Sequence, residues 1–223
     1  MEWIPKIEAH DDTLVVVDRV ERHKAHEKPR QWHPTSLILV LDAEGLVVTV
    51  DKYPKNLQKA EVYGYEPPAP SCRPDAMGGH IQYEQLTEAE RQQGLTDETF
   101  RRGALCELSE EILVDGQSLN PDPALLRYHG IIRIEEEAEF AGVFSYRIQG
   151  EHAFTGYDDL ALPHGGREQL LLPTARFSPE ELLALYQETK AGTTVLAKNG
   201  LPYRFSTGLA AILEQPNWLN WVR

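Results

Sequence analysis

The chain has 223 residues, of which 41% are hydrophobic, and a formal net charge of −13. That length supports one sizeable core, while the acidic balance argues against a nucleic-acid partner, whose backbone calls for a basic surface. No run approaches the roughly 18 to 20 apolar residues needed to cross a bilayer, so no membrane partner is expected. Two cysteines, Cys72 and Cys106, are too few for a disulfide scaffold. The opening residues 1–6 lack the basic-then-apolar order of a signal peptide, so a cytoplasmic setting is expected. The net charge would also repel a phosphate compound unless metal ions or local Lys and Arg reverse the potential.

In chain order, residues 13–20 (TLVVVDRV) read as a strand rich in β-branched side chains. A polar connection over 21–31 carries His23 and His26, and Trp32-His33-Pro34 leads into SLILVLD (36–42), suited to a buried strand. Asp42-Ala43-Glu44-Gly45 is a turn, with its hairpin partner over 46–50. Residues 52–75 hold Pro54, Pro67, Pro68, Pro70 and Pro74 and read as a long irregular loop facing a substrate. A helix is expected from an N-cap at Thr96 to about Leu113. Residues 125–137 and 139–149 alternate like paired strands, 150–167 read as a glycine-containing loop, and 170–172 as a short strand. Ser178 caps a second helix reaching about Lys190, with Pro179 in its first position. A third is expected over 205–213.

In the first helix Glu107, Glu110 and Glu111 fall at i, i+3 and i+4 and therefore share one face. Taken alone, that is the pattern of a solvated acidic helix. Carboxylates so crowded repel one another, and the hard cations Mg²⁺ or Mn²⁺ would remove the cost. A Gly78-Gly79 pair precedes the helix, and Glu98 lies nine residues before Glu107.

Together these residues resemble the Nudix box, G-x5-E-x7-R-E-U-x-E-E-x-G-U with U bulky and apolar. Glu98, Glu107, Leu108, Glu110, Glu111 and Val114 match; Cys106 stands at its Arg and Leu113 at its Gly. An insert of about eleven residues, 83–93, separates Gly79 from the rest, and Arg102 is the expected partner of Glu98. The resemblance implies one domain over 1–223 with an α/β/α sandwich around a mixed sheet. It implies a diphosphohydrolase in which Glu107, Glu110 and Glu111 hold Mg²⁺ or Mn²⁺. Glu111 or Glu139 would serve as general base, with Glu110 beside them in the catalytic set. Gly78 and Gly79 would let the backbone approach the phosphates of a small-molecule diphosphate, with Lys52 and Lys55 as candidate phosphate contacts.

Outside the box the chain is similar to the isopentenyl-diphosphate isomerase branch of that superfamily. His26 and His33 stand seven apart ahead of the core strand, and His80 follows Gly79. Glu137-Ala138-Glu139 precedes Phe140–Phe144, and Arg101-Arg102 precedes Glu107-Leu108 at the branch's spacing. This similarity implies a second divalent-metal site built from His26, His33, His80, Glu137 and Glu139, chemically suited to Mn²⁺, Zn²⁺ or Mg²⁺. Glu137 and Glu139, two apart on a strand, would point to one face. Gly78 stands where the branch has a proton-donating cysteine, with Cys72 six residues earlier, and Tyr203 where it has a tryptophan facing its cation.

Three functions follow. The first is a Nudix-type hydrolase of a nucleoside diphosphate-like compound, the second an isopentenyl-diphosphate isomerase with a relocated acid. The third is a non-catalytic nucleotide or metal sensor. Alkene isomerisation needs an acid and a base on opposite faces, and Gly78 supplies neither. Hydrolysis needs metals, a water and one base, so it ranks first.

Overall fold

The computed structural model describes residues 2–11, 13–162 and 165–223. β1 (Trp3–His10) and β2 (Thr13–Glu21) form an antiparallel ribbon of their own. β2 matches the strand expected over 13–20, whereas Pro5 interrupts the alternation of β1 and hides it from a periodicity reading. The polar connection that follows holds one short helix, α1 (Arg22–Ala25).

β3 (His33–Leu41) is buried along its whole length, as a central strand covered on both faces must be. Its hairpin partner is β4 (Val47–Asp51). The Asp42 carboxylate closes their turn by accepting the backbone N–H groups of Glu44 and Leu46 at 3.0 and 2.9 Å. The loop expected over 52–75 instead begins with α2 (Tyr53–Tyr63). Pro54 sits in its first turn, where the missing N–H has no partner to lose. β5 (Pro74–Asp75) and β6 (Met77–His80) follow, and the insert at 83–93 carries α3 (Glu88–Gln93).

α4 (Asp97–Glu111) begins where expected, its Thr96 N–H donating to Thr99 Oγ1 at 3.1 Å. It stops before Leu113, because the chain turns extended at once as β7 (Ile112–Val114) and then β8 (Gln117–Ser118). β9 (Leu126–Ile134) and β10 (Glu139–Arg147) are the expected pair. β11 (Phe154–Ala161) occupies much of the loop expected over 150–167, and residues 163–164 of that expectation lie outside the described residues. The Asp158-Asp159 pair disguises this strand, since aspartates are poor strand formers. Here they are paired with Lys55 and Arg167. β12 (Arg167–Leu172), β13 (Thr174–Phe177), α5 (Pro179–Lys190), α6 (Thr207–Leu213) and α7 (Trp218–Trp221) complete the chain. The caps of α5 and α6 are Ser178 and Ser206.

The architecture is the expected α/β sandwich around a mixed sheet. Its strand order is β13-β4-β3-β10-β9, with β5 beside β4 and β6 beside β3. β3 and β10 run parallel; the other pairs are antiparallel. A second sheet, β12-β11-β7-β8, lies alongside. Alternation along β3 divides the core. Ile38 and Val40 pack with Phe100, Ala104 and Leu108 of α4. Leu37, Leu39 and Leu41 pack with Leu182 of α5, Leu209 and Ile212 of α6, and Trp218 of α7. Burying each such Leu, Ile or Phe contributes about 1.5–3 kcal/mol. No helix among the described residues is long and apolar enough to cross a membrane.

Candidate metal centre

Strand register brings the first ligands together. On parallel neighbours β3 and β10, His33 lies opposite Glu139; on β3 and β6, Thr35 lies opposite His80. His26, just beyond α1, completes the group. Ligand atoms of His26, His33, His80 and Glu139 all lie within 4.8 Å of one another. The Nε2 atoms of His26 and His80 are 3.0 Å apart, and His33 Nε2 is 3.4 Å from Glu139 Oε1.

These residues fit a divalent cation. His33 Nδ1 is 2.7 Å from the carbonyl oxygen of Gln31, which can only accept, so Nδ1 carries the proton. The lone pair is thereby left on Nε2, which is fully buried without a hydrogen-bond partner. Burial, followed by the neighbouring His33, holds the His26 pKa down to about 4. Burial likewise holds His80 well below the usual imidazole range, helped by Arg22 and the other two histidines. Neutral imidazoles aimed at one point are what a metal ligand set requires.

Glu137 is placed differently from the expectation. β9 ends at Ile134, and residues 135–138 form the turn into β10, with Ala138 at φ 56°. Glu137 and Glu139 are therefore not two residues of one strand. Glu137 lies 3.8 Å from His26 Nδ1 and 3.4 Å from Arg30, beside the cage and outside the converging group.

The helix carboxylates do not converge in the same way. Glu111 is buried, and both its oxygens are engaged. Oε1 accepts from Lys52 Nζ at 2.6 Å, and Oε2 from the Gly78 N–H at 2.6 Å. Glu107 lies against Gly79, where a β-carbon would meet its carboxylate at 2.5 Å. Burial, then the charges of Glu111 and Glu110, push the Glu107 pKa up to about 8. Glu110 is exposed and accepts from Cys106 Sγ at 3.1 Å. That contact, added to burial, pushes the Cys106 thiol up to about 12.

The helix carboxylates Glu107, Glu110 and Glu111 and two of the cage residues, His80 and Glu139, line one cavity of about 600 Å³ together with Gly78 and Gly79; His26 and His33 are not among its lining residues. Lys52 and Lys55 line it too, but as paired cations: Lys52 with Glu111 and Asp158, Lys55 with Asp158. Tyr203 is not among the lining residues; its ring packs edge-on against Phe177. Cys72 is also outside, its thiol 3.4 Å from Asn199 Oδ1. Glu98 is on the surface beside Arg101. The expected partner of Glu98, Arg102, instead donates to both oxygens of Glu90 at 2.8 Å, so the insert supplies that buried carboxylate. Burial would raise the Glu90 pKa, yet Arg102, Thr99 and Thr87 hold it at about 2.

Asp75, Asp158 and Arg73 are lining residues that sequence reasoning missed. Burial drives the Asp75 pKa up to about 6 against the opposing charge of Lys52. Their signal was weak: two lie in a proline-rich stretch, and one in a segment read as a loop.

No protein-family model matches the chain, and no curated protein matches it. Among solved structures, DR0079 from Deinococcus radiodurans is 16% identical over 95% of this chain and 97% of that one, with a TM-score of 0.49. Tm1382, a provisionally assigned Nudix hydrolase, is 15% identical over 91% and 78%, with a TM-score of 0.45. Neither likeness is close enough to transfer a function. What fold and site define is a mixed α/β protein carrying a three-histidine, one-carboxylate cage, of which His80 and Glu139 line an acidic cavity.

Proposed function

We propose that this chain is a metal-dependent, Nudix-type hydrolase that cleaves a diphosphate linkage in a small polar molecule. One observation carries the reading: His80 and Glu139 of the cage line the same cavity as Glu107, whose carboxylate packs against Gly79 next to His80. His26, His33, His80 and Glu139 would hold a divalent ion that accepts imidazole ligands, Mn²⁺ or Zn²⁺, which would supply positive charge for phosphate oxygens and acidify water.

The protein's own groups divide the remaining work. Glu111 is tied to Lys52 and the Gly78 N–H, and Glu139 to the cage, so neither is free to act as base. Glu107, with a pKa near 8, holds a proton at neutral pH that it can deliver to a leaving phosphate. Glu110, exposed and lining the cavity, is the helix carboxylate placed to take a proton from water. Arg73 lines the cavity, and its guanidinium forms no ion pair with a carboxylate among the described residues, which suits it to a phosphate.

The isomerase reading is disfavoured on two grounds. A β-carbon on Gly78, at φ 153°, would sit 2.1 Å from the Ser36 carbonyl oxygen, so no proton-bearing side chain fits there. Among the described residues the cavity's aliphatic lining is Leu37 and Ala76, too little to receive a prenyl tail. A sensor would need no proton-holding carboxylate beside its cage.

The test is incubation with nucleoside diphosphates, nucleotide sugars and isopentenyl diphosphate, each with Mn²⁺, Zn²⁺ or Mg²⁺. Metal-dependent release of phosphate or a monophosphate is expected, with no dimethylallyl diphosphate formed. His33→Ala should lower both Mn²⁺ affinity and rate. No turnover of any diphosphate with any of these metals would refute the proposal.

A further inference from the structure

The helix Glu107-Glu110-Glu111 has the spacing of a cation site, and the cation found there is a side chain. Lys52 Nζ is 2.6 Å from Glu111 Oε1 and 3.8 Å from Asp158 Oδ2. Its side chain is only 10% exposed and that of Glu111 9%. A lysine is buried to this degree only when paired. The second oxygen of Glu111 is held by the Gly78 N–H. Lys52 comes from the first residue after β4, and α2 begins directly behind it, so its backbone is anchored on both sides. Its own N–H donates to the Arg73 carbonyl at 3.0 Å. Each oxygen of Glu111 thus already meets a donor, and a divalent ion binding at Oε1 would be brought against the Lys52 ammonium, a like charge it would have to displace.

We propose that Lys52 is a built-in substitute for a metal ion at Glu111, so the helix takes no divalent cation there and the ion-binding role rests on the histidine cage. The inference deepens the hydrolase reading and depends on it only for the cage. It explains how a buried Glu111 is tolerated beside Glu107 and Glu110, since a tethered positive charge compensates that carboxylate without any ion in solution. It also turns Glu111 from a catalytic candidate into a positioning residue, which pins Gly78 through its N–H and so holds the Gly78-Gly79 segment against α4.

Ion stoichiometry decides the matter without reference to turnover. The metal-stripped full chain is titrated with Mn²⁺, free ion being read by electron paramagnetic resonance, and circular dichroism confirms each variant's fold. Wild type should bind one Mn²⁺ tightly, His33→Ala should lose it, and Glu111→Gln should keep it. Lys52→Met should bind a second Mn²⁺, and Lys52→Met with Glu111→Gln should lose that one again. Two tight ions in wild type, one of them lost in Glu111→Gln, would sink the inference and leave the cage reading standing. A folded Lys52→Met that still binds one ion would also count against it. No binding by wild type would sink the cage reading, and a Mn²⁺ gained by Lys52→Met would then still support the substitution. Should Lys52→Met fail to fold, the wild-type and Glu111→Gln stoichiometries decide.

Discussion

Gly79 presses so closely on Glu107 that a β-carbon on the glycine would lie 2.5 Å from the carboxylate. Glycine here is a packing requirement, because Gly79 shows no positive φ. Gly79→Ala should displace Glu107 by a few tenths of an ångström or more and lower kcat on a diphosphate substrate about 10²-fold. The fold should survive, as judged by near-unchanged circular dichroism. A wild-type rate would mean that the position of Glu107 is immaterial to turnover.

The same carboxylate predicts a pH dependence of stability. Burial and its neighbours raise the folded-state pKa of Glu107 from 4.5 to about 8. The folded state therefore binds this proton more tightly than the unfolded state does. Its contribution to stability is complete below about pH 4.5 and is lost as pH rises through about 8. Urea denaturation in EDTA should show wild type losing stability relative to Glu107→Gln between those limits. Parallel curves for the two proteins would contradict the assigned shift.

Glu90 and Glu98 should exchange the importance that the sequence motif assigns to them. Glu90→Ala strands Arg102 and two threonine hydroxyls and should cost about 2–4 kcal/mol. Glu98→Ala removes only a surface pair with Arg101 and should fall within about 0.5 kcal/mol of wild type. Chemical denaturation of both variants checks the ordering, and the reverse order would place Arg102 with Glu98 in solution.

Arg73 is the cavity cation whose side chain has no ion pair among the described residues; the side chains of Lys52, Lys55, Arg22 and Arg167 each have one. Arg73→Ala should raise KM for a diphosphate about tenfold or more, with a smaller effect on kcat, since it removes binding common to substrate and transition state. Arg22→Ala at the exposed rim should change KM far less. Steady-state kinetics on both variants distinguishes them; equal effects would point to diffuse charge rather than a dedicated contact.

Much of the fold was legible because it is written in local patterns. The apolar SLILVLD run announced a strand covered on both faces, and the Ser178-Pro179 cap announced α5. His26, His33, His80 and Glu139 could be picked out because their spacing resembles that of the isomerase branch, and three of them sit at strand ends in the fold. Spacing failed for Glu137, because nothing local marked the turn that begins after Ile134. It failed again for Lys52 and Glu111, and for Arg102 and Glu90. The first pair is 59 residues apart in the chain, and the second joins an insert to a helix face. Hydrophobic periodicity reports which face of an element is buried, and that much this sequence determined by itself. Which charges meet depends on how β4, β6 and α4 dock. Only the tertiary structure decided that Glu111 should face an ammonium, because a buried carboxylate takes whichever cation the packed backbone delivers to it.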